Sequence, residues 1–385
     1  MPADLPNHPA LLPAGLRDLL PPDAETEAAA VEALMDVFGS HGYQRVKPPL
    51  LEFEDTLFAG SGAAVAEQTF RLMDPDSQRM MGLRADTTPQ VARIATTRLA
   101  NAPRPLRLSY AGQCLRVRGS QLAPDRQIAQ AGIELIGVDS PVADAEIILV
   151  GAEALLGAGL HRFSFDLTLP TLTLTLMEAA GITSEACAML SHALDRKDAT
   201  AVRRYGGPLA TILTDLLLAA GPADRALEAL QAAKLAPAAR ALADRLSEMV
   251  ATIHARAPAL RLTIDPVEFR GLRYHTGVAI TIFAPNRHEE LGRGGRYLCG
   301  ETEPATGLTL YPDAILRASS PRTPRPRLYL PAGYDAGEAA EFRRLGYATV
   351  ADLNGAAKPE AEARRLGCTH LLRNGQAVQL EGRRD

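Results

Sequence analysis

The sequence has 385 residues, of which 46% are hydrophobic and 22% are charged, and its formal net charge is −4. Such a chain has the composition of a globular protein and the length to bury a substantial core. It contains no run of about 18 apolar residues that could span a membrane, and its N-terminus lacks the pattern of a secretory signal. The acidic balance also disfavours a surface that binds nucleic acid. We therefore expect a cytoplasmic protein with no membrane and no nucleic-acid partner.

Motifs for metals and nucleotide cofactors are missing from the sequence. The cysteines lie far apart and the histidines show no ligand spacing, so we expect reduced thiols and no metal site. No GxGxxG follows a predicted strand and no GxxxxGK[ST] occurs, so no cofactor is expected. Any phosphate would have to be bound by arginines. The cysteines are Cys114, Cys187, Cys299 and Cys368.

Helices and strands alternate in the first part of the chain. Pro22 suits the first turn of a helix, and apolar residues recur at helical spacing as far as Phe38. Pro48 and Pro49 forbid helix in the next segment, which we expect to be extended. Further helices are predicted over 89–99 and 142–156, and strands over 70–73, 78–83, 106–118, 127–137 and 162–169.

The second part of the chain begins with a change of composition. Residues 171–257 are rich in alanine and leucine and predict a helical insertion between strands. Strands are then predicted over 260–269 and 277–283. Residues 319–327 (SSPRTPRPR) indicate a linker, and 328–385 predict a small β-α-β-α-β module. We expect one large domain over 1–318, with an α+β fold and not a doubly wound nucleotide fold.

Four blocks of the sequence resemble histidyl-tRNA synthetase and its relatives, in the same order. They are 42–52, similar to motif 1 of class II synthetases; 83–90, similar to the segment that supplies a carboxylate; 112–116 with 126–134, similar to motif 2 and the following strand; and 270–277 with 294–297, similar to the two histidine-specific segments. The resemblance spans residues 10–317. It implies the antiparallel sheet of a class II aminoacyl-tRNA synthetase with flanking helices, and a homodimer formed through the motif 1 region.

The resemblance also implies a histidine-binding site. Its residues would be Asp86, Arg116, Gln130, Glu134, Arg270, Tyr274 and Tyr297. Asp86 and Glu134 would face the ammonium and imidazole groups, and Gln130 would hold the remaining proton of the amino group. Arg270 would bind the carboxylate through two hydrogen bonds, and Tyr297 would form a wall. Alternatively, the acidic and amide groups bond to backbone near a strand end, and the tyrosines belong to the core.

Several residues depart from the synthetase pattern. Arg116 matches the motif 2 arginine, but Arg118 stands where the family has the acidic residue that reads adenine. Motif 3, G-x-x-x-G-x-E-R, here reads GLTLYPDA over 307–314, so Ala314 replaces an arginine that stabilises phosphoryl charge. Pro312 is expected to disturb the helix that would carry this arginine. We therefore predict no amino-acid activation. Both arginines of motif 2 also fit a solvated strand face.

These departures favour a catalytically degenerate relative over an enzyme. The run 86–93 (DTTPQVAR) resembles the regulatory subunits of ATP phosphoribosyltransferase, which keep the synthetase body. That resemblance implies a partner, the short-form catalytic subunit, and a role in the first step of histidine biosynthesis and its feedback control by histidine. An active histidyl-tRNA synthetase and a synthetase-like ligase for another acceptor are the alternatives, but both need the arginine that Ala314 replaces. Arg273 and His275 depart from the histidine-specific segment as well, and they add positive charge.

Overall fold

The computed structural model describes residues 11–119, 123–268, 275–300, 302–319 and 324–380. The chain divides into two compact units, Met1–Ser320 and Pro321–Asp385. Part of the predicted linker over 319–327 lies outside the described residues. In the part of the chain that is described, no helix has the length and apolar character that a membrane crossing requires.

The first unit is organised around a large β-sheet. Its strands, in chain order, are β1 (Gln44–Arg45), β2 (Leu51–Phe53), β3 (Arg71–Met73), β4 (Met80–Leu83), β5 (Leu106–Leu115), β6 (Gln127–Ile136), β7 (Ser164–Thr168), β8 (Gly221–Pro222), β9 (Leu262–Asp265), β10 (His275–Phe283), β11 (Gly292–Cys299) and β12 (Glu303–Leu310). Over the described residues the large sheet has nine strands in the order β1-β5-β6-β12-β11-β10-β7-β9-β8. Its six central strands, from β5 to β7, are antiparallel neighbours. The predicted α+β fold with an antiparallel sheet is confirmed.

Helices pack against both faces of this sheet, with the helix Thr88–Thr96 on the face that bears Tyr110 and Tyr297. The helices of the first unit are α1 (Asp23–Ser40), α2 (Glu54–Leu57), α3 (Thr88–Thr96), α4 (Pro141–Gly157), α5 (Pro170–Ala179), α6 (Ser184–Asp195), α7 (Ala199–Tyr205), α8 (Ala210–Ala219), α9 (Ala223–Ala232), α10 (Pro237–Arg256) and α11 (Pro312–Ala318). The side chain of Ser140 accepts a hydrogen bond from the Val142 amide and caps α4, which also has a proline in its first turn. Ile147, Ile148 and Leu155 of α4 are fully buried in the main core. Each such side chain contributes roughly 1.5–3 kcal/mol.

Two further assemblies complete the first unit. Strands β2, β4 and β3 form a separate antiparallel sheet, and its β3–β4 hairpin follows the predicted turn at residues 74–77. Helices α5 to α10 form the predicted helical insertion and pack into the same core as the large sheet. The polar segment 84–87 connects the end of β4, the middle strand of the small sheet, to the start of α3.

The second unit is a small α/β module. Its elements are β13 (Arg327–Leu330), α12 (Ala336–Arg344), β14 (Ala348–Ala351), α13 (Pro359–Arg365), β15 (His370–Arg373) and β16 (Gln376–Gln379). Strands β14, β13 and β15 are parallel, and β16 pairs with β15 in the antiparallel sense. The last hairpin was not predicted. Asn374 and Gly375 make its two-residue turn, and both have the positive φ that such a turn requires.

The structure corrects several expectations from the sequence. Pro312 does not disturb a helix: it is the first residue of α11, where its missing amide proton costs nothing. The predicted helix over 89–99 ends at Thr96, and the predicted strand over 260–269 ends at Asp265. Strands β11 and β12 were not predicted, because four glycines at 292, 294, 295 and 307 interrupt their apolar pattern.

Candidate functional site

The register of the sheet brings the predicted site residues to one face. Gly112 pairs with Gln130 in the β5–β6 ladder, and Glu134 pairs with Gly307 in the β6–β12 ladder. Paired residues on neighbouring strands point to the same face of a sheet, and so does every second residue along a strand. The strand register therefore identifies which side chains lie on the face that bears Glu134. We call it the front face. Its members are Tyr110, Gly112, Cys114, Gln130, Gly132, Glu134, His275, Arg293, Gly295, Tyr297, Gly307 and Thr309.

Glu134 is the centre of a hydrogen-bond network on the front face. Its side chain is only 1% exposed. Tyr297 donates to its Oε2 at 2.8 Å, and the Thr88 hydroxyl donates to its Oε1 at 3.0 Å. Tyr110 lies 3.5 Å from the same Oε1 and 2.7 Å from the Thr309 hydroxyl. Among the described residues, the partners of the Glu134 side chain are therefore hydroxyl groups.

Glycines give this network its room. A Cβ atom at Gly307 would lie 1.9 Å from Glu134 Oε2, and one at Gly132 would lie 2.5 Å from the Tyr110 hydroxyl. At Gly295, where φ is +139°, a Cβ atom would meet His275 at 2.7 Å. The floor of the front face thus consists of positions at which only glycine fits.

The environment makes Glu134 unusually easy to protonate. Burial raises its pKa to about 8, although the hydrogen bonds from Tyr297 and Thr88 oppose this. Burial and the nearby Glu134 carboxylate raise the pKa of Tyr297 and of Tyr110 well above the usual value, so both stay neutral donors. A ligand that brings a positively charged N–H group to Glu134 would favour the ionised carboxylate, which accepts that bond strongly.

The front-face cleft is lined by both acidic and basic groups. We call it the Glu134 pocket. Its lining consists of Ala64, Val65, Asp86, Thr88, Pro89, Glu134, His275, Arg293, Gly294, Gly295, Tyr297, Gly307 and Thr309. Asp86 is partly exposed and accepts a hydrogen bond from the Thr88 amide at 3.2 Å, at the start of α3. The structure therefore brings Asp86, Glu134 and Tyr297 together. Tyr297 is both a wall of the pocket and a member of a buried apolar cluster, so the two alternatives from the sequence coincide.

Gln130 lies on the same strand and the same face as Glu134, but its orientation differs from the prediction. Its Oε1 accepts from the Thr87 amide at 3.0 Å and from the Cys114 thiol at 3.1 Å, which uses both lone pairs. Its Nε2 is buried and has no hydrogen-bond partner among the described residues. In this orientation Gln130 keeps a free donor, but its side chain is 1% exposed and does not line the Glu134 pocket, so its predicted contact with an amino group stays a prediction.

The other predicted site residues either do not line the Glu134 pocket or lie outside the described residues. Arg116 follows β5 and reaches the Ala85 carbonyl only at 3.5 Å. Arg118 is exposed. Arg270, Tyr274 and the neighbouring Arg273 lie outside the described residues, so their part in the site stays a prediction. The described residues hold no group of three or more His, Cys, Asp or Glu that could bind a metal ion, and the four cysteines are separate thiols.

The residues that replace motif 3 lie where strand β12 passes into α11. Ala314 is 2% exposed and belongs to the main core. Tyr311 is partly buried, and the positive charges of Arg293 and Arg116 act on its hydroxyl, as does the negative charge of Asp86. Arg317, the arginine of α11, is held by Glu289 at 3.1 Å and lies 3.8 Å from Asp125. The first turn of α11 therefore presents an alanine methyl and no cation.

Sequence reasoning missed several members of the pocket. Thr88 and Tyr110 complete the Glu134 network, and Gly307 makes room for it. His275 lines the pocket and is 5% exposed, although from the sequence it was only a departure from the family pattern. The alternation of β5 could have identified Tyr110, because it shares its face with Gly112 and Cys114. The position of Gly307 opposite Glu134 depends on a long-range strand pairing that the sequence alone does not show.

Comparison with known proteins places the chain in a family. The sequence profile described as histidyl-tRNA synthetase matches residues 15–315. An ATP phosphoribosyltransferase regulatory subunit from Paramagnetospirillum magneticum is 55% identical over 97% of this chain and 98% of its own length, and one from Gluconobacter oxydans is 54% identical over 96% and 97%.

A solved structure supports the same fold. It is described as an ATP phosphoribosyltransferase regulatory subunit/histidyl-tRNA synthetase from Bacillus halodurans, and it superposes with a TM-score of 0.77 at 24% identity. The superposition covers 92% of this chain and 96% of that one. The chain thus has the fold of a class II synthetase, and it belongs to the histidyl-tRNA synthetase family and, within it, to the ATP phosphoribosyltransferase regulatory subunits.

Proposed function

We propose that this chain is a non-catalytic regulatory subunit of an ATP phosphoribosyltransferase. It forms a cytoplasmic hetero-oligomer with a short-form catalytic subunit, supports the first step of histidine biosynthesis and mediates feedback control by histidine. The name of its relatives supports the partner. One structural observation supports the regulatory role: the hydroxyl network around Glu134 is present, while the first turn of α11 has Ala314 where the synthetase pattern has an arginine.

The absence of catalysis follows from electrostatics. Activation of an amino acid by ATP develops negative charge on a phosphoryl group, and fixed positive charges must stabilise it. Ala314 supplies none, and Arg317 is committed to Glu289. Tyr311 adds a bulky ring close to Arg116 and Asp86. Loss of one such preorganised charge costs several kcal/mol of transition-state stabilisation, or on the order of a thousandfold in rate.

The Glu134 pocket suits histidine as an effector. Glu134 can accept a hydrogen bond from an imidazole N–H, with Tyr297 beside the ring. The carboxylate of Asp86 lies at the same pocket and can face the ammonium group. The guanidinium of Arg270 is the candidate for the carboxylate, from the sequence resemblance alone. Histidine bound here regulates only if two states of the complex bind it with different affinity, and about 1–3 kcal/mol of coupling suffices.

A homodimer through the motif 1 region forms part of the same proposal. Large apolar side chains are exposed next to this region, on and beside the small sheet of β2, β3 and β4. They are Leu50, Leu72, Met73 and Met80. Met73 and Met80 pair in the β3–β4 ladder and share one face, while Leu72 lies on the other face. Exposed apolar side chains of this size favour a contact with another chain. Sedimentation of the isolated chain tests this part, and a strict monomer at micromolar concentration would count against it.

The experiment is reconstitution with the catalytic phosphoribosyltransferase of the same organism. We expect the two chains to co-purify, and we expect histidine to inhibit the complex. Calorimetry with histidine is run on the wild type, on Glu134→Gln and on Glu153→Gln, whose exposed side chain lies outside the pocket. Only Glu134→Gln should weaken histidine binding and inhibition.

Two outcomes would contradict the proposal. Histidine-dependent pyrophosphate exchange with ATP in the pure chain would indicate an active synthetase or ligase. Failure to bind the catalytic subunit, together with no effect on its activity, would remove the regulatory role. If the complex forms but histidine binds in neither the free nor the assembled state, the pocket is a relic and regulation runs through the partner.

A further inference from the structure

A buried arginine clamps strand β11 to the start of α4, on the face of the sheet opposite the Glu134 pocket. Arg296 is 4% exposed, as is Asp144 in the first turn of α4. The Nε of Arg296 lies 3.1 Å from both carboxylate oxygens of Asp144, and its Nη2 lies 2.9 Å from Oδ1. The same guanidinium donates to the carbonyl oxygens of Val138 at 3.1 Å and Ser140 at 3.0 Å. All donors of the fork are thus used within the protein.

The clamp lies where the β10–β11 ladder is irregular. His275 pairs with Tyr297 and Ala279 pairs with Gly295, so three residues of β10 lie opposite Arg296 alone. Such a bulge interrupts the hydrogen bonds that normally fix a strand in place. Gly277, within the bulge, has no side chain, and a Cβ atom there would lie 3.1 Å from the Arg296 stem. The ion pair with Asp144 therefore stabilises β11 at a point where ladder hydrogen bonds are reduced.

The ion pairs continue from the clamp to the helical insertion. Asp139 Oδ1 lies 3.2 Å from Arg296 Nη1 and accepts a hydrogen bond from Arg245 at 2.6 Å. Arg245 belongs to α10, the longest helix of the insertion. The sequence of contacts Arg245–Asp139–Arg296–Asp144 therefore connects the insertion to strand β11. We call it the back-face ion-pair chain.

A cavity lies next to the back-face ion-pair chain. It has a volume of about 330 Å³ and separates α10 from strands β10 to β12 next to the ion pairs. Leu242, Leu246 and Met249 line it from α10, and Val278 and Leu298 line it from the sheet. Packed side chains transmit displacement because interiors are dense, and an open gap does not. Beside this cavity, the contact between α10 and β11 runs through the partly exposed Arg245–Asp139 pair, while elsewhere α10 packs into the main core with the large sheet.

Tyr297 is the next residue after Arg296, and it points to the opposite face, where it donates to Glu134 at 2.8 Å. We infer that Arg296 is a positioning residue for the Glu134 pocket, and that the back-face ion-pair chain couples this pocket to the helical insertion. A contact or ligand that displaces α10 then weakens or strengthens the Tyr297–Glu134 hydrogen bond. In the reverse direction, a ligand bound at Glu134 changes the mobility of α10. The coupling rests on the geometry above, and its regulatory meaning rests on the proposed function.

The first test needs no ligand. Hydrogen–deuterium exchange is measured on the full chain as wild type, Arg245→Ala and Arg240→Ala. Arg240 lies on the same helix but bonds within the insertion, to the Ala233 carbonyl at 2.6 Å. We expect Arg245→Ala to raise exchange in peptides that cover β11, and Arg240→Ala to raise it only within the insertion. Changes confined to the insertion in both variants would overturn the coupling.

The second test uses histidine affinity in a double-mutant cycle. Asp139→Asn keeps the shape of the side chain and weakens its bonds to both arginines. We expect it to lower histidine affinity about threefold to tenfold in the wild type and to have no effect when Tyr297→Phe is already present, because coupled sites are not additive. Equal effects in both backgrounds would overturn the role of Arg296. If the wild type does not bind histidine, the proposed effector fails, while the exchange experiment still decides the coupling.

Discussion

Tyr297 donates a 2.8 Å hydrogen bond to Glu134, a residue 163 positions earlier in the chain. The two side chains come from strands β11 and β6, which are separated by β12. They can meet because Gly307 of β12, directly opposite Glu134, has no side chain between them. The bond orders a buried acidic side chain whose partners, in the part of the chain that is described, are hydroxyl groups. Several measurable properties depend on it.

Replacement of Glu134 by glutamine should change how stability depends on pH. The folded chain holds a proton on Glu134 up to about pH 8, whereas an unperturbed glutamate releases it near 4.5. Below about pH 4.5 the ionisation of Glu134 does not change the free energy of unfolding. Between about pH 4.5 and about pH 8 the free energy of unfolding falls as pH rises, because only the unfolded chain releases this proton. Above about pH 8 the loss stays constant. Glu134→Gln should therefore gain stability relative to the wild type, by on the order of 3 kcal/mol, between about pH 5 and about pH 9. Urea unfolding of both proteins at about pH 5 and about pH 9 measures this gain. The same stability difference between variant and wild type at the two pH values would refute the prediction.

Gly307→Ala should disrupt the Glu134 pocket. The new Cβ atom would lie 1.9 Å from Glu134 Oε2, so the carboxylate or strand β12 must move. We expect a loss of about 1–3 kcal/mol in the free energy of unfolding and weaker histidine binding. Gly39→Ala is the control, because a Cβ atom at this position in α1 meets nothing within 4 Å and alanine favours helix. Equal unfolding midpoints for the two variants would argue against a crowded floor.

Arg93→Ala should destabilise the link between α3 and β2. Arg93 donates to Glu52 at 2.8 Å and through a second, shorter contact, and the Glu52 side chain is 7% exposed. Removal of the arginine leaves a buried carboxylate without its cation, which typically costs about 3–5 kcal/mol. Arg79→Ala breaks an exposed pair with Asp55 and should cost less than about 1 kcal/mol. Thermal unfolding of both variants measures the two losses of stability. Equal losses would show that burial of the Arg93–Glu52 pair does not matter.

Ala314→Arg should not create a synthetase. Ala314 is 2% exposed and lies in the main core, so an arginine there meets packed side chains and carries a charge without a partner. We expect a lower unfolding temperature and no histidine-dependent pyrophosphate exchange. A variant with wild-type stability and measurable exchange would mean that a single missing arginine separates this chain from an active enzyme.

Local sequence signals predicted most of the elements. The helical spacing that follows Pro22 corresponds to α1, and the turn residues at 74–77 correspond to the β3–β4 hairpin. Both succeed because the determining interactions lie within a few residues of each other. Strands β11 and β12 escaped prediction because most of their glycines make room for neighbouring strands and side chains, which the local sequence does not show.

For the candidate site, too, some features were predictable from the sequence and others were not. The sequence by itself determined the family, through blocks such as 126–134 and 294–297, and it determined that Ala314 and Arg118 depart from a synthetase. It could not determine which atoms of those residues are available. The long-range pairing of β6, β12 and β11 decided that Tyr297 holds Glu134. The start of α3, together with Cys114 of β5, decided that Thr88 also holds Glu134 and that Gln130 keeps a free donor and no free acceptor. Only the tertiary structure decides such matters, because burial and hydrogen-bond partners are supplied by strands that are distant in sequence.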